Sequence, residues 1–380
     1  MLAAAAAPSL AEVTRVAAEA ADSVDRESRF PAEAVSALKA ARFLSCSLPS
    51  SCGGGDYGIT QLAEIARALG AACSSAGMVF AMHHTQALSL ARHGSSGAVA
   101  QVTATIAANE SLLASATTEI TTGGDVGSST CAIVIDGDEV SLEKNAPVIS
   151  YGMYADYICA TARRGPESAK SDQVLLVCPT SDTTLEQTST WDVLGFRGTC
   201  SPGFLLSTRT SRSHVVPVDY ATIVSATMLP ASHSLWASVW LGIADAAVRK
   251  ARIAVRQAAR KAGGKPVPQA GNLAELTELH QRFESTVAQG VARFEDFAAS
   301  GSVEPTIGFT IAMNNLKLAA STEVLDVVIA ALKIVGLNGY REDHPLSLGR
   351  QLRDAFAPQL MVSNDRIRQN NAQLVLAYRG

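Results

Sequence analysis

Apolar residues recur every three or four positions through the first hundred residues, in "LAEVTRVAAEAADSV", "PAEAVSALKAARFL" and "ITQLAEIARALGAACSSAGMVFAMHHTQALSLARHG". That period predicts amphipathic helices over about 9–110. Pro31 stands where a helix begins, as a first-turn proline should. "SSCGGGDYG", 50–58, reads as a loop between helices. From about 112 to 217 the texture changes to short runs rich in Val, Ile, Thr and Tyr, such as "CAIVIDGDEVSLE" and "DQVLLVCP". These predict strands, with the tightest hairpin signal in "IDGDE" at 135–139. From about 220 the helical period returns in four long pieces, 222–262, 272–299, 305–335 and 345–378, which predict an antiparallel bundle. The expected fold is α+β and mostly α: an N-terminal helical domain over 1–111, a central antiparallel β domain (a barrel or sandwich) over 112–218, and a C-terminal four-helix bundle over 219–380.

Composition narrows the class. With 380 residues, 47% of them apolar, the chain can bury sizeable cores. A net charge of -4 without any Lys/Arg run longer than two argues against nucleic acid as a partner. The apolar start "MLAAAAAPSLAEV" lacks a charged lead and a cleavage pattern, and charges interrupt the longest apolar runs. The expectation is a cytoplasmic protein that does not engage the membrane. Seven cysteines without Cys-x-x-Cys spacing suit reduced thiols that fill core space, Cys73 in a helical run and Cys159 and Cys178 in strands, and no metal site is expected.

Six segments, in order, resemble the acyl-CoA dehydrogenase superfamily: "RFPAEAVSALKAARFLSCSLPSSCGGGDYG", "ASATTEITTGGDVGSS", "APVISYGMYADYICATA", "WDVLGFRGTCS", "ARKAGGKP" and "KIVGLNGYREDHPLSLGRQLRDAF". The resemblance implies FAD between the β domain and the C-terminal bundle, and at least a homodimer, with a homotetramer as the larger possibility. Carried over by position, Thr118 and Ser150 would hydrogen-bond the isoalloxazine edge. Arg260, Gly336 and Gly339 would meet the pyrophosphate, Lys333 would add a charged contact to it, and Asn364 would reach the flavin from the position of a family threonine.

The same alignment exposes departures. "LMVSNDRI" puts Met361 at the family's tyrosine and Val362 at the glutamate that removes the substrate's α-proton. The alternative glutamate position, twenty-six residues before Arg260, is Ser234. Valine cannot accept a proton. Residues that grip the CoA tail in relatives become Ser232, Leu235 and Gly124, although Arg163, Arg164 and Arg197 remain as possible replacements.

A retained flavin framework without the base is similar to the superfamily's monooxygenase branch, the group D flavin monooxygenases and natural-product oxygenases. That branch works through a C4a-(hydro)peroxyflavin with molecular oxygen as co-substrate, often on FAD reduced by a partner reductase. The expected activity is oxygenation of an aromatic or heteroatom-containing metabolite, in secondary metabolism. His83 and His84 lie about 100° apart on the helix expected to line the pocket, so one should face inward. His233 and Ser234 are the second pair of candidates. The tryptophans 191, 236 and 240 read as interface or core, with Trp236 in reach of the pocket. Two alternatives stand beside this reading: an acyl-CoA dehydrogenase with a relocated histidine base, and a catalytically silent flavin-fold binding subunit.

Overall fold

The computed structural model describes residues 7–94, 97–122, 126–263, 267 and 269–379. Five helices come first: α1 (Leu10–Arg26), α2 (Ala32–Ala40), α3 (Ile59–Ala72), α4 (Ser74–His93) and α5 (Gly97–Asn109). A capping box opens α1, where Ser9 and Glu12 satisfy each other's backbone donors. The long apolar run expected as one helix breaks at Cys73, whose extended backbone (φ -146°, ψ 105°) turns α4 away from α3. Cys73 is therefore a buried junction rather than a helical residue.

Seven strands follow: β1 (Leu113–Ala116), β2 (Val134–Asp136), β3 (Glu139–Ala146), β4 (Tyr157–Arg163), β5 (Gln173–Pro179), β6 (Thr183–Gln187) and β7 (Phe204–Ser211). They form a three-stranded sheet, β1-β4-β5, and a four-stranded antiparallel sheet, β2-β3-β7-β6. The expected hairpin is present, with Asp136 opposite Glu139. One departure from an all-antiparallel domain is β1, which runs parallel to β4. A parallel pair needs a long connection, and residues 117–156, which include β2 and β3, supply it.

The remaining helices are α6 (Tyr220–Ile223), α7 (Leu229–Ala262), α8 (Gln269–Ala299), α9 (Ile307–Val335), α10 (Leu337–Tyr340), α11 (Gly349–Phe356) and α12 (Asn364–Ala377). A single π-turn, Val224–Met228, joins α6 to α7. Pro230 explains the slip, because its ring lacks an N–H and displaces the carbonyl four residues earlier. The fourth long helix expected over 345–378 is instead broken into α11, a short 3₁₀ turn and α12. α7, α8 and α9 pack along one another, and α3 and α4 lie against α7, so the N-terminal helices and the bundle share a continuous core. No described helix is long and apolar enough to cross a membrane.

Candidate functional site

A cavity of about 670 Å³ lies where α4, the end of β1, the 191–201 loop, the α6–α7 turn and the segment after α11 meet. Its α4 wall is Met78, Met82, Thr85 and Gln86, spaced at the helical period on one face. Tyr220 from α6 and Val224 and Met228 from the π-turn also line it, ahead of Ser232, His233 and Trp236 from α7. Phe356, Leu360, Met361 and Val362 close the remaining side.

Buried polar scaffolding holds these walls. Thr118 faces the cavity, and the next residue, Glu119, forms a fully buried pair with Lys144 at 3.1 Å. Burial acts to raise the Glu119 carboxyl, but hydrogen bonds from Thr130 and Cys131 and the Lys144 charge prevail and hold it down at about 2. Ser150 accepts a hydrogen bond from Ser201 at 2.9 Å, and Ser201 lies 2.9 Å from Thr199 Oγ1, so three hydroxyls run along one wall. Gly195 admits α11 closely: a Cβ there would stand 2.4 Å from the Arg353 carbonyl. Asp354 locks that contact by accepting from Phe196 N–H at 2.6 Å and from the Ser74 hydroxyl.

Among the described residues, three buried polar atoms of lining residues have no hydrogen-bond partner: the Nε1–H groups of Trp191 and Trp236 and Oε1 of Gln86. Nε2 of His233 likewise makes no hydrogen bond to a described residue. Gln86 spends its amide nitrogen on Ser115 Oγ at 2.7 Å. His233 Nδ1–H donates to the Met313 carbonyl at 3.0 Å, which fixes its tautomer and leaves the Nε2 lone pair open. Burial, reinforced by the Lys317 charge, lowers this imidazole to about 3, so it is neutral near pH 7.

The sequence candidates separate. Thr118, Ser150 and His233 line the cavity. His83 and His84 do not, contrary to the expectation that one faces inward. His83 Nε2–H donates to the Leu44 carbonyl at 2.6 Å while Nδ1 accepts from Leu113 N–H at 3.0 Å. His84 meets Ser47 Oγ at 2.8 Å and the Phe43 carbonyl at 2.9 Å. Both rings staple α4 to the 43–47 loop and β1, and their four nitrogens are used. Ser234 is buried off the cavity wall, and its hydroxyl has no partner. Asn364 turns inward to Lys317 and Ser321 instead of toward the cavity. Arg260, Lys333 and Gly336 are exposed and Gly339 is buried, all four away from the cavity in one chain. Gly124 lies outside the described residues.

Residues that sequence reasoning missed lie close by. Lys317, fully buried on α9, donates to the Val362 carbonyl and to Asn364 Oδ1, both at 2.7 Å. Its signal was a lone lysine in an apolar helical run. Gln86 was signalled by its spacing from Met78 and Met82. Val362 lies on the cavity wall with φ 44°, a backbone conformation that a β-branched residue rarely adopts. No Asp or Glu is among the described residues that line the cavity. Its single cation, Arg353, is paired with Asp25 and Glu342. Arg163, Arg164 and Arg197 anchor backbone carbonyls or pair with Asp172, Asp219 and Asp192.

Three comparisons place this architecture among known proteins. Residues 8–133 match the family described as "Acyl-CoA dehydrogenase, N-terminal domain". The short-chain specific acyl-CoA dehydrogenase of Clostridium acetobutylicum is 22% identical, with 94% of this chain and 92% of that protein covered. Among solved structures, FMN-bound TdsC from Paenibacillus sp. A11-2, a dibenzothiophene monooxygenase, superimposes with a TM-score of 0.85 at 15% identity over 97% of this chain and 96% of that one. Butyryl-CoA dehydrogenase from Megasphaera elsdenii gives 0.80 at 18% identity over 97% and 98%.

Proposed function

We propose that this chain, a member of the acyl-CoA dehydrogenase superfamily, is a flavin-dependent oxygenase that acts on a neutral aromatic or heteroatom-bearing metabolite. One observation carries the reading: the described lining contains no carboxylate, and Val362, which the resemblance aligns with the superfamily's base, stands on the cavity wall. Removal of an α-proton from an acyl thioester needs a proton acceptor within hydrogen-bond reach. Valine offers none. Of the relocated bases of a dehydrogenase reading, His83 and His84 have every ring nitrogen engaged elsewhere, and His233, whose Nε2 is open on the cavity, is made a weak base by burial, which lowers it to about 3.

The residues present fit a flavin. The cavity has the volume of a sizeable ligand and walls that are mostly apolar, on which the Thr118 and Ser150 hydroxyls are available to a polar ring edge. Thr118 and Ser150 would meet that edge. A reduced flavin bound here would supply the activation of dioxygen. The chain's own part is to exclude water with Met78, Met82, Leu229 and Phe356, and to orient the substrate with the few polar atoms that have no other partner. Such unsatisfied atoms in a formed cavity speak against a silent subunit. The paired state of Arg353, the one cation of the described lining, speaks against a phosphate-rich CoA tail inside it.

The cofactor assigned is FAD, delivered in reduced form by a separate reductase, with oxygen as co-substrate. The TdsC structure holds FMN, so the flavin's identity is part of the test. Arg260, Lys333, Gly336 and Gly339 are assigned to the flavin of a second copy. Leu337 and Tyr340, exposed at 73% and 75% beside them, are the apolar surface such a copy would cover. The test is anaerobic titration of the flavin-loaded protein with acyl-CoA thioesters of several chain lengths. The expected result is an unchanged oxidised flavin spectrum. Bleaching by any of them would sink the oxygenase reading.

A further inference from the structure

His233 and Trp236 are three residues apart on α7, so they project from one face of the helix into the cavity. Their ring centroids are 6.3 Å apart with planes inclined at 49°. They offer opposite hydrogen-bonding halves. His233 is 2% exposed, its Nδ1–H is committed to the Met313 carbonyl, and its Nε2 is an open acceptor. Trp236 Nε1–H is a buried donor without an acceptor. Neither group is charged, and among the described residues no carboxylate stands behind His233 to stabilise an imidazolium. Buried polar groups without partners cost free energy until a ligand supplies them.

We infer that His233 and Trp236 form a substrate-recognition pair for a neutral, planar molecule that carries a hydrogen-bond donor next to an acceptor on one edge, as a cyclic amide or an ortho-hydroxy carbonyl does. The inference rests on the oxygenase reading only for placing this substrate beside a bound flavin. The ligand's N–H or O–H donates to His233 Nε2, and its carbonyl oxygen accepts from Trp236 Nε1–H. The proton stays on the ligand, since His233 acts as an acceptor and not as a base. Met228, Leu229 and Phe356 supply apolar contact for the rest of the ring system. A charged ligand is disfavoured because no unpaired counter-charge is among the described lining residues.

The experiment measures binding and needs no turnover. 2-Quinolone, which has the donor–acceptor edge, is compared with N-methyl-2-quinolone and with naphthalene by titration of the flavin-loaded protein, followed by flavin absorbance and tryptophan fluorescence. 2-Quinolone should bind at least about tenfold more tightly than its N-methyl analogue, because a site built around a polar contact rejects a ligand that cannot make it. In His233→Phe that ratio should fall to near one, and Trp236→Phe should weaken 2-quinolone while leaving naphthalene unchanged. Equal binding of the two quinolones to wild type would overturn the inference without touching the oxygenase reading. So would 2-quinolone that binds only flavin-free protein and competes with added FAD, since the pair would then belong to the flavin's own pyrimidine edge. The wild-type ligand comparison stands even if a variant fails to fold.

Discussion

Lys317 Nζ donates at 2.7 Å to the carbonyl of Val362, a residue of the cavity wall. Lys317 is fully buried with no acidic partner among the described residues; its other contact is Asn364 Oδ1, which Ser321 also approaches. A lysine on α9 therefore fixes the backbone of a cavity wall from behind. Val362 adopts φ 44° there, a strained choice for a β-branched residue, and such strain persists only where surrounding contacts impose it.

Val362→Gly should accordingly stabilise the protein. Relief of the positive φ is worth roughly 1–3 kcal/mol, and glycine's greater unfolded-state entropy offsets about 0.5–1 kcal/mol of it. A rise in the denaturation midpoint at unchanged m-value is expected. A fall would show that the valine side chain contributes packing that outweighs its strain.

Burial, with Arg368 contributing, lowers Lys317 to about 7. The sign follows from linkage. The unfolded chain binds a proton that the folded one has lost between pH 7 and the ordinary lysine range near 10.5. The cost of burying the charge is thus full below pH 7 and is relieved as pH rises. Wild-type stability should climb relative to Lys317→Met by up to about 1.4 kcal/mol per pH unit above pH 7. Parallel pH profiles for the two proteins would contradict the assignment, and the comparison cancels Lys250, which burial lowers to about 8.

The tautomer of His233 is open to direct observation. Nitrogen-15 correlation spectra should show an Nδ1–H imidazole with a bare Nε2 from pH 8 down to about 4, because burial holds the ring's titration near 3. The folded state loses stability as pH falls from about 6.5 toward 3 through this group, since the unfolded histidine gains a proton first. An imidazolium signal at pH 6 would remove the basis for treating His233 as an acceptor.

His83→Phe should damage the fold and spare the chemistry. It leaves the Leu44 carbonyl and the Leu113 N–H buried without partners, at roughly 1–3 kcal/mol each. Chemical denaturation should report that loss, while flavin affinity and kcat of the folded fraction stay near wild type. A kcat reduced more than about tenfold at preserved stability would return His83 to the catalytic candidates.

The sequence was informative wherever a period or a local rule decides structure. Helix positions in the first hundred residues and the turn between β2 and β3 were readable. Side-chain direction was harder to read. The adjacent pair His83 and His84 looked like pocket residues because their helix lines the cavity, yet the face that does so is Met78, Met82 and Gln86. The helical phase set by those positions puts both histidines off that face. The break at Cys73 and the π-turn before Pro230 escaped notice because long apolar periods hide a one-residue change of direction. Lys317 could not be assigned a role, since its two acceptors come from a segment about 45 residues away in sequence.

The central claim is that this cavity supports oxygen insertion and not dehydrogenation. The most direct measurement supplies the protein with reduced FAD and ¹⁸O-labelled dioxygen in the presence of a panel of neutral donor–acceptor heteroaromatics, and follows product mass. One labelled oxygen atom in the product, with the second in water, is the expected result. Unlabelled, desaturated product, or flavin reduced anaerobically by the same substrate, would contradict it.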